Sequence, residues 1–261
     1  RGLNPDGTPI VPEKPEPEPV KPQVDPKVAA ALQALAAKTA AWDFAGAKVL
    51  LAEAELPAGT LAQKKDEVAR LAKLKAKIIK TVNAAKPSWK TSHLLLTGAA
   101  GDIVKADGKG LTVKLPGNKT ATHAWRELKS RSVGMLLNRV LGRKAPDDWL
   151  AAGLLAIALG EPGRAEGYFR QATSLGADAA PYLGPLADAA LGQVQTLLDE
   201  ADFPRAKEAI AALGAKYGET PWAATNQGLL ASLRARAERG MADVAAEKLY
   251  AQAAKVYASK D

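Results

Sequence analysis

Apolar residues between positions 60 and 85 recur at the spacing of one helical face. Leu61, Val68, Leu71, Leu74, Ile78 and Val82 stand three, four or seven residues apart, which is the period of an α-helix. At 1.5 Å per residue such a helix is about 38 Å long. Lys64, Lys65, Lys73, Lys75, Lys77 and Lys80 fill the other positions, so the pattern predicts a long rod with a solvated basic surface. Two shorter helices are expected ahead of it, over 27–40 and 45–56. Asp25-Pro26 opens the first, the Trp42-Asp43-Phe44 break separates the two, and Pro57 and Gly59 close the second. Beyond residue 126 the alanine- and leucine-rich pattern returns. It predicts helices at 128–141, 147–159, 163–175, 181–199, 204–217, 221–239 and 242–258, with breaks at Gly142, Gly160, Gly176, Pro204, Gly218 and Gly240. Short connections between such helices imply antiparallel neighbours.

The period changes between Ser88 and Trp125. Asp102–Ala106, Leu111–Leu115 and Thr120–Trp125 read as strands joined by the turns Asp107–Gly110 and Pro116–Lys119, and Ser92–Leu96 is a candidate fourth strand. The segment is expected to be a β-meander or a small SH3-like barrel, with Leu111, Val113 and Leu115 facing inward and Thr112 and Lys114 outward. Ahead of the first helix, residues 1–26 contain Pro12, Pro15, Pro17 and Pro19 within an alternation of proline and glutamate. No helix accommodates that pattern, and an extended polyproline II arm is expected. Pro12, Pro15, Pro17, Pro19, Val20 and Val24 are its candidate partner-binding residues.

Composition sharpens the helical reading. The chain has 261 residues, of which 55 are alanine and only 5% are aromatic. Alanine is the best helix former and lets helices approach closely. The net charge of +8 is unevenly placed: residues 60–144 carry 19 basic and 5 acidic side chains, residues 1–26 carry 3 and 5, and residues 145–261 carry 11 and 15. A basic middle between acidic ends suits an anionic partner, and also permits one copy to bind another. Lys73, Lys77, Lys80, Lys105, Lys114 and Lys119 are the candidate basic surface. Lysines of the β segment beside Trp89 or Trp125 would also suit nucleic acid, with aromatics stacking on bases.

Three short stretches resemble one another: Trp42-Asp-Phe-Ala-Gly-Ala47, Gly160-Glu-Pro-Gly-Arg-Ala165 and Ala201-Asp-Phe-Pro-Arg-Ala206. Each opens a helix and carries an alanine five residues after its start. The best extended copy runs from Pro146 to Ala177, with Trp149, Gly153, Ala165, Phe169 and Ala172 in order. This pattern resembles the helix–turn–helix units of tetratricopeptide-repeat proteins. Ala152, Ala156 and Ala177 stand where that family has leucine, tyrosine and proline. The resemblance implies close packing through Trp42, Phe44, Ala47, Trp149, Gly153, Ala165, Phe169, Ala172, Phe203 and Ala206, and a protein-binding or assembly role. An alanine-rich helical bundle is the alternative.

Catalytic signal is sparse. There is no cysteine, and His93 and His123 are the two histidines. They are candidates for cross-strand neighbours, but make a poor metal site without carboxylates nearby. Phosphate-loop, dinucleotide, nucleophile-elbow, zinc-protease and calcium-loop motifs are absent. Asp147-Asp148 follows Pro146 and suits a helix N-terminus, where acids complement the dipole. Asn118-Lys-Thr120 is a formal glycosylation sequon. No run of about 18 uncharged apolar residues offers a membrane span. The chain opens on Arg1 rather than methionine, which fits a processed export signal, a cut anchor or a boundary within a longer chain.

The expectation is a mainly α protein divided into an arm (1–26), a helical hairpin with a long basic helix (27–87), a small β-meander (88–125) and a repeat-like helical domain (126–261). The function expected is non-catalytic, without cofactor. The protein is expected to be an exported subunit of an extracellular or cell-surface filament, binding other copies of itself through the arm and the complementary charges. The alternatives are a scaffold or sensor domain tethered to a membrane protein through the arm, and a nucleic-acid-binding protein using the basic middle.

Overall fold

The computed structural model describes residues 25–94 and 101–258. The helices are α1 (Pro26–Ala40), α2 (Phe44–Glu53), α3 (Ala58–Ala84), α4 (Ser130–Val140), α5 (Pro146–Ala158), α6 (Pro162–Ser174), α7 (Ala180–Asp199), α8 (Phe203–Tyr217) and α9 (Pro221–Ala258). Four strands, β1 (Trp89–Lys90), β2 (Asp102–Ala106), β3 (Gly110–Lys114) and β4 (Thr120–Ala124), form an antiparallel sheet in the order β1-β2-β3-β4. The protein is thus mainly helical, with a small meander inserted after α3.

Helix starts follow from local chemistry. The Asp25, Asp43 and Asp202 carboxylates accept backbone N–H bonds at the N-termini of α1, α2 and α8, satisfying donors that the helix leaves unpaired. The three similar stretches adopt one conformation. Trp42, Gly160 and Ala201 have φ of 60°, 73° and 57°. The N–H of the next residue reaches back to the carbonyl of Lys38, Ala156 or Leu197 at 2.9, 2.8 and 2.9 Å. This is the Schellman ending, and in each case a fully buried alanine (Ala47, Ala165, Ala206) follows five residues later.

These turns join α1 to α2, α5 to α6 and α7 to α8, and the helices of each pair pack on one another. α3 links the pairs. Val68, Leu71, Leu74, Ile78 and Val82 are buried, and α3 touches α2, α4, α5 and β2. Asp147 and Asp148 lie in the first turn of α5, where they pair with Arg70, at 2.5 Å, and with Lys77. They tie two helices together. The buried Glu166 of α6 joins Arg170 at 2.8 Å and Lys216 of α8 at 3.1 Å.

Three expectations are corrected. A single helix, α9, replaces the two expected around Gly240. Gly240 is the seat of the Phe203 ring, which lies where a Cβ would stand, so this glycine serves packing rather than chain reversal. The candidate fourth strand is Trp89–Lys90, earlier than expected. A 3-10 turn occupies Thr91–Leu94, and residues 95 and 96 lie outside the described residues. The edge strands β1 and β4 do not pair, so the described strands form an open sheet rather than a closed barrel. Leu111 and Val113 are buried and Lys114 is exposed, as the alternation predicts.

Candidate functional site

The basic middle of the chain becomes a surface built on α3, the sheet and α4. Lys73 and Lys80 of α3, Lys114 of β3 and Lys119 of the β3–β4 turn are exposed and have no ion-pair partner among the described residues. Lys77 and Lys105 belong to the same region but are engaged, Lys77 with Asp148 and Lys105 with Asp107 at 3.2 Å.

Two grooves flank the second half of α3. The first, about 590 Å³, lies where the α1–α2 turn meets α3 and the sheet. Its floor is aromatic. Trp42 and Trp125 stack with centroids 5.1 Å apart, and Phe44 lies 6.1 Å from Trp42. The Trp125 Nε1–H donates to the Asp107 carbonyl at 2.8 Å, whereas the buried Trp42 Nε1 has no acceptor among the described residues. Lys75 crosses this junction. Its ammonium donates to the carbonyls of Trp42 and Gly108, both at 2.9 Å, and stands 5.9 Å from the Phe44 ring and 5.7 Å from the Trp125 ring. Burial lowers the Lys75 pKa, and the charges of Asp43 and Asp107 oppose the shift. The pKa of Asp43 is itself lowered, first by its hydrogen bond from Lys38 and then by the Gly46 N–H.

The second groove, about 720 Å³, lies at the far end of α3. Lys77, Lys80, Lys86 and Arg139 line it together with Pro87 and the half-buried Trp89, and among the described residues no carboxylate does. The Arg139 guanidinium stands 5.4 Å from the Trp89 ring centroid, a cation–π geometry.

The candidate packing residues occupy the helix interfaces. Trp42, Phe44, Ala47, Ala165, Phe169, Ala172 and Ala206 are buried. The Phe169 ring fills the space left by Gly153, where a Cβ would come within 2.3 Å of it. Trp149 is half-buried, meets Tyr168 at 5.9 Å and donates its Nε1–H to the Gly142 carbonyl at 3.0 Å. Phe203 is half-buried against α9.

The candidate arm residues Pro12, Pro15, Pro17, Pro19, Val20 and Val24 lie outside the described residues. His123 pairs with Leu111 across β3 and β4, while His93 lies in the turn after β1, so the histidines are not cross-strand neighbours. Among the described residues no cluster of three histidine, cysteine or carboxylate groups is placed to hold a metal ion. No described helix is long and apolar enough to cross a membrane.

Sequence reasoning treated Lys75 as one more solvated lysine and did not join Trp89 to Arg139. For Lys75 a signal existed, since it stands four residues after Leu71 and next to Leu74, at the edge of the apolar stripe. For Trp89 and Arg139 none did, because only the tertiary fold brings α4 beside β1.

No family model, curated protein or solved structure matches this chain.

Proposed function

We propose that the protein is a non-catalytic, self-associating subunit of an extracellular or cell-surface filament, built from repeat-like helical units and carrying a proline-rich arm. The outer half of α9 is the observation that carries this reading. Its first half packs on α7 and α8 through Trp222, Leu230, Leu233, Ala237 and Gly240. From Ala242 to Lys255 every side chain is exposed, Leu249 at 66% and Tyr250 at 79%. At 100° per residue Ala242, Ala246, Leu249, Tyr250 and Ala253 share one side, a stripe of the kind that helices bury. An exposed apolar stripe is characteristic of a protein-interaction surface, so a protein partner supplies its natural cover. The uneven charge supports a second copy as that partner. A contact between two different surfaces of identical chains propagates as a filament when its rotation does not close into a ring.

Sedimentation velocity and electron microscopy of the full chain across rising concentration test the proposal. The expected result is a mass that grows with concentration, and a shift towards monomer in a Leu249→Lys, Tyr250→Lys variant of unchanged helicity. A chain that stays monomeric throughout overturns it.

A further inference from the structure

The Trp89 groove names a partner for the arm. Its Lys80, Lys86 and Arg139 side chains are exposed, have no ion pair among the described residues, and surround the indole of Trp89 and the ring of Pro87. Lys77 is paired with Asp148, but Lys80, Lys86 and Arg139 leave an excess of positive charge, and an anionic occupant relieves their mutual repulsion. Indole and proline rings make an apolar floor of the kind that receives proline-rich segments, whose conformation is set before binding. The complementary chemistry lies in this same chain. Pro12-Glu-Lys-Pro-Glu-Pro-Glu-Pro19 alternates proline rings with Glu13, Glu16 and Glu18. Nucleic acid would supply charge and bases to stack on Trp89, whereas the arm supplies charge together with aliphatic rings that suit the proline ring and alanine wall (Ala84, Ala85) of the groove.

We propose that the acidic proline segment Pro12–Pro19 of a second copy seats in the groove formed by α3, β1 and α4. The proposal rests on the self-association described above and identifies one of its contacts. The geometry of α1 favours a second copy over the chain's own arm. Leu32, Leu35 and Thr39 of α1 lie beside Gln63, Glu67 and Leu71, along the first half of α3, and the α1–α2 turn reaches Lys75. Residues 77–86 lie beyond that turn, so the chain's own segment would have to reverse at Asp25 and pass the whole of α1, about 22 Å. A neighbouring copy presents its arm without that reversal.

Photo-crosslinking in the full chain tests this. Val20 is replaced by p-benzoylphenylalanine, and ordinary and nitrogen-15-labelled chains are mixed so that mass spectrometry separates adducts within one chain from adducts between two. The expected adducts join two chains and map to residues 77–89 or to Arg139. Lys80→Glu, Lys86→Glu and Arg139→Glu together lower their yield at least tenfold, and Glu13→Lys, Glu16→Lys and Glu18→Lys in the partner restore it. That restoration excludes misfolding as the cause of the loss. Adducts mapping to other surfaces, an unchanged yield in the charge-reversed chain, or displacement of the arm by an equimolar oligothymidylate overturn the groove assignment. If the chain still associates in such a case, self-association stands without it. Adducts confined to single chains in a protein that never associates overturn both.

Discussion

The ring of Phe203, at the start of α8, occupies the space where a Cβ of Gly240 in α9 would stand, 2.3 Å from that position. In an exposed helix interior, glycine to alanine stabilises by about 1 kcal/mol. At Gly240 the added methyl meets an aromatic ring held by its own helix, and overpacking of that kind costs about 1–3 kcal/mol. Gly240→Ala is therefore expected to lower stability, whereas Gly228→Ala, in the same helix with no atom within 4 Å of its Cβ position, is expected to raise it. Urea unfolding of both variants measures this. A Phe203→Leu, Gly240→Ala double variant that recovers part of the loss locates the coupling at this contact, and equal stabilisation by both alanines would contradict it.

The shared turn conformation makes a reciprocal prediction. Ala201 and Gly160 occupy the same left-handed position, with φ of 57° and 73°. A Cβ in that region costs about 1–2 kcal/mol. Ala201→Gly is expected to stabilise the fold and Gly160→Ala to destabilise it, each by about 1 kcal/mol. Thermal unfolding of the pair decides the matter. Shifts of the same sign would show that the two turns are not equivalent.

Helices were legible wherever alanine and leucine kept a helical period and an acid or proline marked the entry, as at Asp25-Pro26 and Asp202-Phe203-Pro204. The strands were legible from strict alternation, at Leu111 and Val113 above all. What failed was the meaning of single residues whose role depends on a distant neighbour. A glycine that breaks a helix and one that admits a ring look alike in sequence, which is why Gly240 was read as a break. A lysine that solvates a helix and one that bridges two carbonyls also look alike, which is why Lys75 was grouped with Lys73 and Lys77. Of the candidate site, the basic character was legible, but its division into two grooves was not. Trp89 meets Arg139, and Trp42 meets Trp125, only through tertiary packing.

Lys75 connects the α1–α2 turn to the sheet through the Trp42 and Gly108 carbonyls. Lys75→Met keeps the alkyl packing and removes both donors. The Gly108 carbonyl can turn to water, but the Trp42 carbonyl is partly buried, so a loss of about 1 kcal/mol is expected. The larger effect is local. Amide exchange in β3 and β4 should speed up relative to that in α5 and α6, because the sheet loses one of its ties to the helical layer. Uniform exchange across both regions would count against a bridging role.

Tyr182 makes the stability of the protein sensitive to alkali. Its ring stacks on Phe169 with centroids 5.4 Å apart. Burial, reinforced by the charges of Glu67 and Asp66, pushes its phenol up to about 12, whereas a free tyrosine ionises near 10. The native state therefore holds a proton that the unfolded chain has released. The stability this supplies is complete below about pH 10 and is lost as pH rises towards about 12. Tyr182→Phe keeps the stacked ring and removes the proton. Its urea midpoint should fall less than that of the unaltered chain between about pH 8 and about pH 11.5. Tyr168 and Tyr217, raised by burial in the same direction, leave a residual decline in the variant. Lys75, whose pKa is lowered, tilts both chains the opposite way and cancels in the comparison. Parallel curves for the two chains would mean that the Tyr182 phenol ionises in the fold as it does in water.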